Sequence, residues 1–472
     1  MSGTIATKPV RSATLWILVY QSHSSFSSGQ KYNNILDSEF RITGVRVKLS
    51  EPTSRLAHFL VISVYHNFIT MGKNAFFSGQ PIFSQLLKFI PRDRFSNIVS
   101  KYKGDRYTKK FDSFHHLVSM LYAQFENCSS LREVEIGMLA CMDKLTHLGI
   151  VHQTKRSTLS EANIRREPKI FEELYFSILQ KYRDILSDTR NALLDKRLYI
   201  LDATVVTLFK DILPAAGCSP KDGNRKGGLK VHTLLSASSD LPELVVMKAA
   251  ASRDSLVLKD LNLPKKSILV FDKGYINFDQ FNRFTKEEVF WVTRRTTTWV
   301  YETTLERVVN EDLKINGVLS DKEIILGNTA NRRQTRVKAR MVTYYDQKSE
   351  REFEFVTNNF QMSALTIAQI YEKRWQVELV FKRIKQNSQL YNFLGDNENA
   401  IKIQVWAALI ADLMTKIVQC KTKRKICYSQ IATIIRLHFM SYFNLFDFLR
   451  NPQKAYRSSN QKPEEFNLFS SA

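Results

Sequence analysis

The sequence predicts an α/β protein with a helical N-terminal region, a mixed sheet after it and further helices at the end. Three observations carry that class. Apolar residues recur at helical spacing from Phe83 to Leu186. After Lys196 the pattern changes to short β-branched, largely apolar runs such as Arg197–Phe209, the signature of buried strands. From Tyr371 onward helical spacing returns, in a segment free of Gly and Pro up to Lys385.

Residues 1–70 are Ser/Thr-rich and have no sustained period. They are read as a leader, with Met71 as the expected natural start. Residues 71–190 form the helical domain. Leu86, Leu87 and Ile90 lead to Pro91. Ser130 with Glu133 and Thr158 with Glu161 have capping-box spacing. Pro168 suits a first helical turn, and Ile170, Leu174, Ile178, Tyr182 and Ile185 continue an amphipathic helix.

The sheet is expected over 191–295, with strands at Arg197–Phe209, Leu229–Ser236, Leu244–Ala250, Ser267–Phe271 and Val289–Thr293. Short helices are expected at Ser255–Leu261 and Phe278–Lys286. Residues 296–358 read as a β-rich insertion, with strands at Thr297–Glu302, Lys322–Leu326, Arg336–Tyr345 and Glu352–Val356. Residues 359–420 return to the sheet-bearing domain through the Tyr371 helix and the long apolar helix Ala400–Val418. Residues 421–472 are a helical C-terminal region.

The charge balance narrows the partners. In 472 residues, 69 Lys plus Arg stand against 46 Asp plus Glu, a net +23. Such a chain attracts polyanions, and nucleic acid is the default. Five scattered cysteines form no CxxC pair and no zinc spacing, which fits a reducing compartment. No apolar run reaches membrane-spanning length, and no membrane partner is expected.

Two carboxylates stand out by position. Asp202 interrupts an apolar strand, and Asp272 ends another. An ionised carboxylate there is costly unless it is paired or binds a metal. A third, Glu378, lies on the Tyr371 helix. Turning roughly 100° per residue from Tyr371 brings Tyr371, Arg374, Glu378 and Lys385 within a wedge of roughly 60°. Lys382 sits on its margin, and Val377, Val380 and Ile384 take the opposite, core-facing side. Taken alone, this helix also reads as an exposed ladder of Arg374–Glu378 and Glu378–Lys382 pairs. Two strand aspartates and a helix glutamate converging on one point make an oxygen-only set suited to Mg²⁺ or Mn²⁺. Two such ions can drive phosphodiester cleavage and joining. Arg374 and Lys385 would then hold phosphates, and Tyr371 would donate to a phosphate oxygen.

Tyr371-x2-Arg374-x3-Glu378-x6-Lys385 matches the YREK signature of DDE transposases of the bacterial IS-four group. Asp202-Ala-Thr and Asp272-Lys-Gly-Tyr275 resemble that family's two aspartate motifs. The β-rich stretch between second Asp and Glu matches its layout, and Phe83–Lys101 with Ser157–Asn163 resembles the N-terminal domain of one branch. The likeness spans roughly residues 76–450. It implies a ribonuclease-H-like catalytic core interrupted by the β-rich insertion. It implies Asp202, Asp272 and Glu378 as catalytic metal ligands for two Mg²⁺ or Mn²⁺ ions, and a location in the bacterial cytoplasm at the nucleoid. The activity implied is cleavage at the element ends and strand transfer into double-stranded target DNA, by a homodimer on paired ends. The alternatives are an inactive DNA-binding remnant, or a nuclease of this fold that does not join. Some relatives stack a flipped base on a Trp, for which Trp291 and Trp299 are candidates by region, with core packing the stronger reading of Trp291.

Other basic residues carry two readings each. Lys230, in Lys226-Gly-Gly-Leu-Lys-Val-His232, either approaches phosphate or follows a β-turn, and His232 reads as a core histidine. Thr158–Arg166 is either a DNA-reading helix, with Arg165 and Arg166 among its donors, or a bundle helix. Arg294-Arg295 and Lys421–Lys425 are solvated faces or backbone contacts.

Overall fold

The computed structural model describes residues 40–42, 45–47, 80–186, 197–207, 228–249, 252–327, 335–388, 390, 392–422 and 424–452. The chain divides into one unit over Met1–Phe76 and another over Phe77–Ala472. In the first, β1 (Phe40–Ile42) pairs antiparallel with β2 (Val45–Val47). The start at Met71 and the turn at Lys226-Gly227 lie outside the described residues.

The second unit opens with helices α1 (Ile82–Leu87), α2 (Arg92–Lys101), α3 (Ser113–Phe125), α4 (Leu131–Ala140), α5 (Met142–Leu145), α6 (Arg156–Arg165), α7 (Lys169–Lys181) and α8 (Arg183–Leu186). Their ends follow local chemistry. The Asp112 side chain caps α3 by accepting from His115 N at 2.7 Å. Ser130 caps α4 as expected, accepting from Glu133 N at 3.3 Å. The Glu133 side chain, however, takes its bonds from Ser129 rather than closing a box on Ser130. The box at Thr158 does not form either: α6 begins two residues earlier, so Thr158 is already inside the helix. On α4 the buried residues are Leu131, Val134 and Met138, whereas Ile136 and Leu139 are exposed.

A nine-stranded mixed sheet follows. Its strands are β3 (Leu198–Thr207), β4 (Gly228–Ser236), β5 (Leu241–Ala249), β6 (Ile268–Phe271), β7 (Phe290–Arg294), β8 (Tyr301–Glu306), β9 (Val318–Leu326), β10 (Val337–Asp346) and β11 (Arg351–Thr357). They lie in the order β5-β4-β3-β6-β7-β11-β10-β9-β8. β3, β6 and β7 run parallel, and the other neighbouring pairs are antiparallel. The β-rich stretch therefore does not form a sheet of its own: β11 pairs with β7 and extends the first five strands. The expected helix at Ser255–Leu261 is a 3-10 helix over Asp254–Asp260.

Side-chain alternation sorts the sheet residues to two cores. Leu198, Ile200, Ile268 and Val270 join the core shared with the N-terminal helices. Tyr199, Leu201, Leu269 and Phe271 join the opposite core, which includes Phe281 and Phe284 of α9 (Phe278–Lys286). The first core is completed by α11 (Ala364–Glu372), α12 (Trp375–Asn387), α13 (Glu398–Thr422), α14 (Tyr428–Leu437) and α15 (Leu445–Arg450), which follow the short α10 (Glu311–Ile315). α13 packs on α3, α6 and α7. Phe439, just past α14, stacks on Phe83 at 4.2 Å, and Phe83 N donates to its carbonyl at 3.0 Å. The C-terminal helices thus share the core of the N-terminal ones, a closure no local pattern announces.

Arg340 on β10 fixes the entry to α11. Its guanidinium forks onto Asp321 at 2.8 and 2.6 Å and also donates to the Met362 carbonyl. Ser363 then caps α11, accepting from Thr366 N at 3.1 Å.

Candidate active site

The period of two along a strand explains where the acidic residues point. Asp202 follows Leu198 and Ile200 at even steps on β3, and Asp272 follows Ile268 and Val270 just past β6. Both are therefore directed to the face that α11 and α12 cover. β3 and β6 are parallel neighbours, with Leu201 opposite Phe271, so the two aspartates emerge side by side.

The Tyr371 segment is not one uninterrupted helix. α11 ends at Glu372 and α12 begins at Trp375. Across the junction Arg374 N donates to Tyr371 O at 3.0 Å and Gln376 N to Lys373 O at 3.0 Å. Such i to i+3 bonds tighten the turn and bring side chains three apart into line. Tyr371 and Arg374, about 60° apart on an ideal α-helix, are thereby drawn toward one direction. Val377, Val380 and Ile384 are buried, as their spacing predicts.

These elements bring the acidic and basic side chains together. Arg374 donates through one terminal nitrogen to Asp202 Oδ2 at 2.9 Å and through the other to Glu378 Oε1 at 2.9 Å. The Tyr371 hydroxyl donates to Asp272 Oδ1 at 3.2 Å. Asp202 Oδ1 accepts from Ala203 N at 2.8 Å. Lys385 Nζ donates to Thr204 Oγ1 at 2.9 Å. Thr204 closes the Asp202-Ala-Thr motif but carried no expected role, although its place two residues beyond Asp202 puts it on the same face.

The electrostatics agree with a shared acidic site. Burial, together with the nearby charges of Asp272 and Glu378, raises the Asp202 carboxyl above its usual range, against the pull of Ala203 N–H and Arg374. Burial and the adjacent Asp272 raise the Tyr371 phenol, which keeps its proton to donate. Burial lowers the Arg374 pKa, but Asp202 and Glu378 outweigh it and the net shift is upward.

Among the described residues, no three carboxylate, imidazole or thiolate groups stand in a ready metal cluster. The side chains nevertheless suit a hard divalent cation: the candidate donors of Asp202, Asp272 and Glu378 are all carboxylate oxygens. Between Asp202 and Glu378 the bridging charge is the Arg374 guanidinium.

Several other expected site residues sit elsewhere. Lys230 lies opposite Val205 in the β3–β4 ladder, on the face away from Asp202, and pairs with Asp254 at 2.6 Å. That position corrects the phosphate reading of Lys230. On the same face His232 bonds Tyr275 at 2.9 Å and is buried, a core histidine as expected. Arg166 is also corrected: it is buried, and donates to Gly104 O at 3.2 Å and to Phe111 O. It ties α6 to the loop before α3, while Arg165 beside it is exposed. Lys382 is exposed on α12. Trp291 stacks on Phe281 at 4.4 Å and Trp299 meets Phe278 at 5.5 Å, both within the aromatic core around α9.

Family comparison accords with this picture. Residues 193–414 match the family described as Transposase DDE domain, and residues 78–151 match a domain of unknown function, DUF4372. The chain is 27% identical over 261 residues to the protein y4zB of Sinorhizobium fredii, named as a transposase, covering 55% of this chain and 70% of that one. It is 31% identical over 252 residues to the transposase assigned to insertion sequence element IS5377 of Geobacillus stearothermophilus, covering 53% and 62%. It is 24% identical over 273 residues to that assigned to element IS4SA of Synechocystis, covering 55% and 71%. A piggyBac transposase chain from a synaptic complex with hairpin DNA aligns over 84% of this chain and 87% of its own, at a TM-score of 0.37 and 11% identity, too loose a likeness to bear on the fold. The chain belongs to the DDE transposases of bacterial insertion sequences. Its class of activity is DNA transposition, by DNA cleavage and strand transfer. No described helix is long and apolar enough to cross a membrane.

Proposed function

We propose that this transposase cuts and joins DNA at Asp202, Asp272 and Glu378, with Arg374, Lys385 and Tyr371 gripping the phosphates beside the scissile bond. The carrying observation is the fork of Arg374 onto Asp202 and Glu378, together with the Tyr371 bond to Asp272. It supports one site made from two strands and a helix that are distant in sequence. The first five strands lie in the order third, second, first, fourth, fifth, with the first, fourth and fifth parallel. That arrangement supports a ribonuclease-H-like core, with β8–β11 as its β-rich extension.

The three carboxylates would hold Mg²⁺ or Mn²⁺, two ions in the fullest form. A bound divalent ion supplies charge stabilisation for the attacking and leaving oxygens of a phosphodiester exchange. The protein's own contribution is to position and neutralise. Lys385, tethered at Thr204, sets a fixed positive charge near the strand face. Tyr371 keeps its proton and steadies Asp272. In the cleavage step a water oxygen forms the new bond to phosphorus and the 3′-oxygen of the element end leaves. In joining, that 3′-hydroxyl loses its proton and its oxygen bonds to a target phosphorus, while the target strand's own 3′-oxygen leaves and takes up a proton. Two ends cut together require two active sites, which makes a homodimer on DNA the working assembly.

The test is incubation with duplex terminal-repeat DNA and Mg²⁺. Wild type should nick the end and join it to a target, and Asp202→Asn, Asp272→Asn and Glu378→Gln should each remove both products while leaving DNA binding. Nicking by all three variants at the wild-type rate would sink the assignment. Cleavage without joining would favour the nuclease alternative.

A further inference from the structure

Arg374 holds a position that a phosphate-gripping arginine does not need. Each terminal nitrogen gives one N–H to a carboxylate, one to Asp202 and the other to Glu378, at 2.9 Å each. Its buried Nε has no hydrogen-bond partner. The guanidinium therefore aims its fork at the carboxylates rather than at a phosphate outside the site. The side chain is only 11% exposed, against 47% for Glu378. The guanidinium thus serves as the internal counter-charge of the carboxylates proposed to bind metal.

A carboxylate oxygen bonded to a divalent cation cannot also keep a full hydrogen bond from a cation in the same direction. We propose that Arg374 is an exchangeable resident counter-ion: it holds Asp202 and Glu378 together without metal, is displaced when the ion loads, and only then turns its fork to a DNA phosphate. Metal uptake and phosphate grip then become two halves of one exchange. By linkage, the ion strengthens DNA binding through Arg374, and a phosphate that draws Arg374 away strengthens ion binding by the same factor. The unpartnered Nε is the atom that gains, because a phosphate can take Nε and a terminal nitrogen together. The inference rests on the carboxylate reading given above, and its test is built to separate the two.

Mn²⁺ binding is measured by the loss of its free-ion electron paramagnetic resonance signal, without DNA, for wild type, Arg374→Gln, Arg374→Lys and Glu378→Gln. Arg374→Gln removes the competitor and should bind Mn²⁺ roughly 5-fold or more tightly than wild type. Arg374→Lys, with one donor centre in place of a fork, should fall between them. Glu378→Gln should bind more weakly. In parallel, end-DNA affinity is measured by anisotropy in EDTA and in Ca²⁺. Wild type should gain affinity in Ca²⁺, and Arg374→Gln should lose most of that gain while matching wild type in EDTA. Thermal melts of each variant check that the fold survives. If Arg374→Gln binds Mn²⁺ no better than wild type while Glu378→Gln binds it worse, the exchange is refuted and the carboxylate site stands. If Glu378→Gln leaves Mn²⁺ binding unchanged, the carboxylate reading falls, and the exchange with it.

Discussion

Replacing Asp412 by Asn should destabilise the protein and release the helix that carries Glu378. Asp412 on α13 is 2% exposed and takes a two-bond fork from Arg383 of α12, at 2.9 Å to each oxygen. Tyr428 of α14 adds a third bond to it at 2.8 Å. Arg383 also donates to the Asp240 carbonyl at 3.2 Å, beside the β4–β5 turn. One buried acid therefore ties three helices to the sheet, and α12 is the helix bearing Glu378 and Lys385. Removing one partner of a buried pair costs about 3–5 kcal/mol, because the other charge stays buried without compensation. Asn keeps the volume and one acceptor, so the low end, about 3 kcal/mol, is expected. Denaturant unfolding followed by tryptophan fluorescence measures it, since Trp406 is buried on α13 itself. The pair Arg383→Met with Asp412→Leu separates charge from packing: with both charges gone, the loss should shrink to about 1 kcal/mol or less. A single Asp412→Asn costing under about 1 kcal/mol, or a double variant as unstable as the single, would refute the argument.

Acid should weaken the fold through two histidines. Burial holds His232 down to about 4 and His116 down to about 3, against a usual value near 6.5. Below that usual value the unfolded chain binds protons the folded chain refuses, so their stability contribution is full above pH 6.5 and is lost as pH falls. Each should cost about 2 kcal/mol by pH 5. Melts at pH 7 and pH 5 read this, and the acid loss should shrink in His232→Gln. An unchanged acid loss in that variant would discount His232. Lys385→Gln should flatten the log–log salt dependence of DNA binding by about 0.9, the share of one phosphate contact, while an unaltered slope would remove Lys385 from the interface. Arg166→Gln should cost about 2 kcal/mol by leaving buried carbonyls unpaired and leave the salt slope alone. Arg165→Gln should do the reverse, and the opposite assignment would restore Arg166 as a DNA contact.

The chain's own pattern determined a good deal. Alternating and continuous apolar runs marked β3, β6 and β10 because burial on one or both faces leaves a direct trace in residue type. Asp202 and Asp272 were visible because a carboxylate inside an apolar strand is a local anomaly, and the buried side of α12 was visible because Val377, Val380 and Ile384 repeat at helical spacing. Tertiary structure decided what no local pattern encodes. Lys230 and Lys385 look alike in sequence, yet ladder register sends Lys230 to Asp254 on the far face and leaves Lys385 beside Thr204. Arg165 and Arg166 are neighbours, but the helix end turns one to solvent and the other to the Gly104 and Phe111 carbonyls. The β-rich stretch joins the main sheet because β7 leaves an edge that β11 can pair with. Arg374, read from its spacing as a phosphate holder, is claimed in the folded chain by two carboxylates that lie 172 residues upstream and four residues downstream. Spacing fixes which face of a helix a side chain takes, and only the packed partners fix which charges wait there.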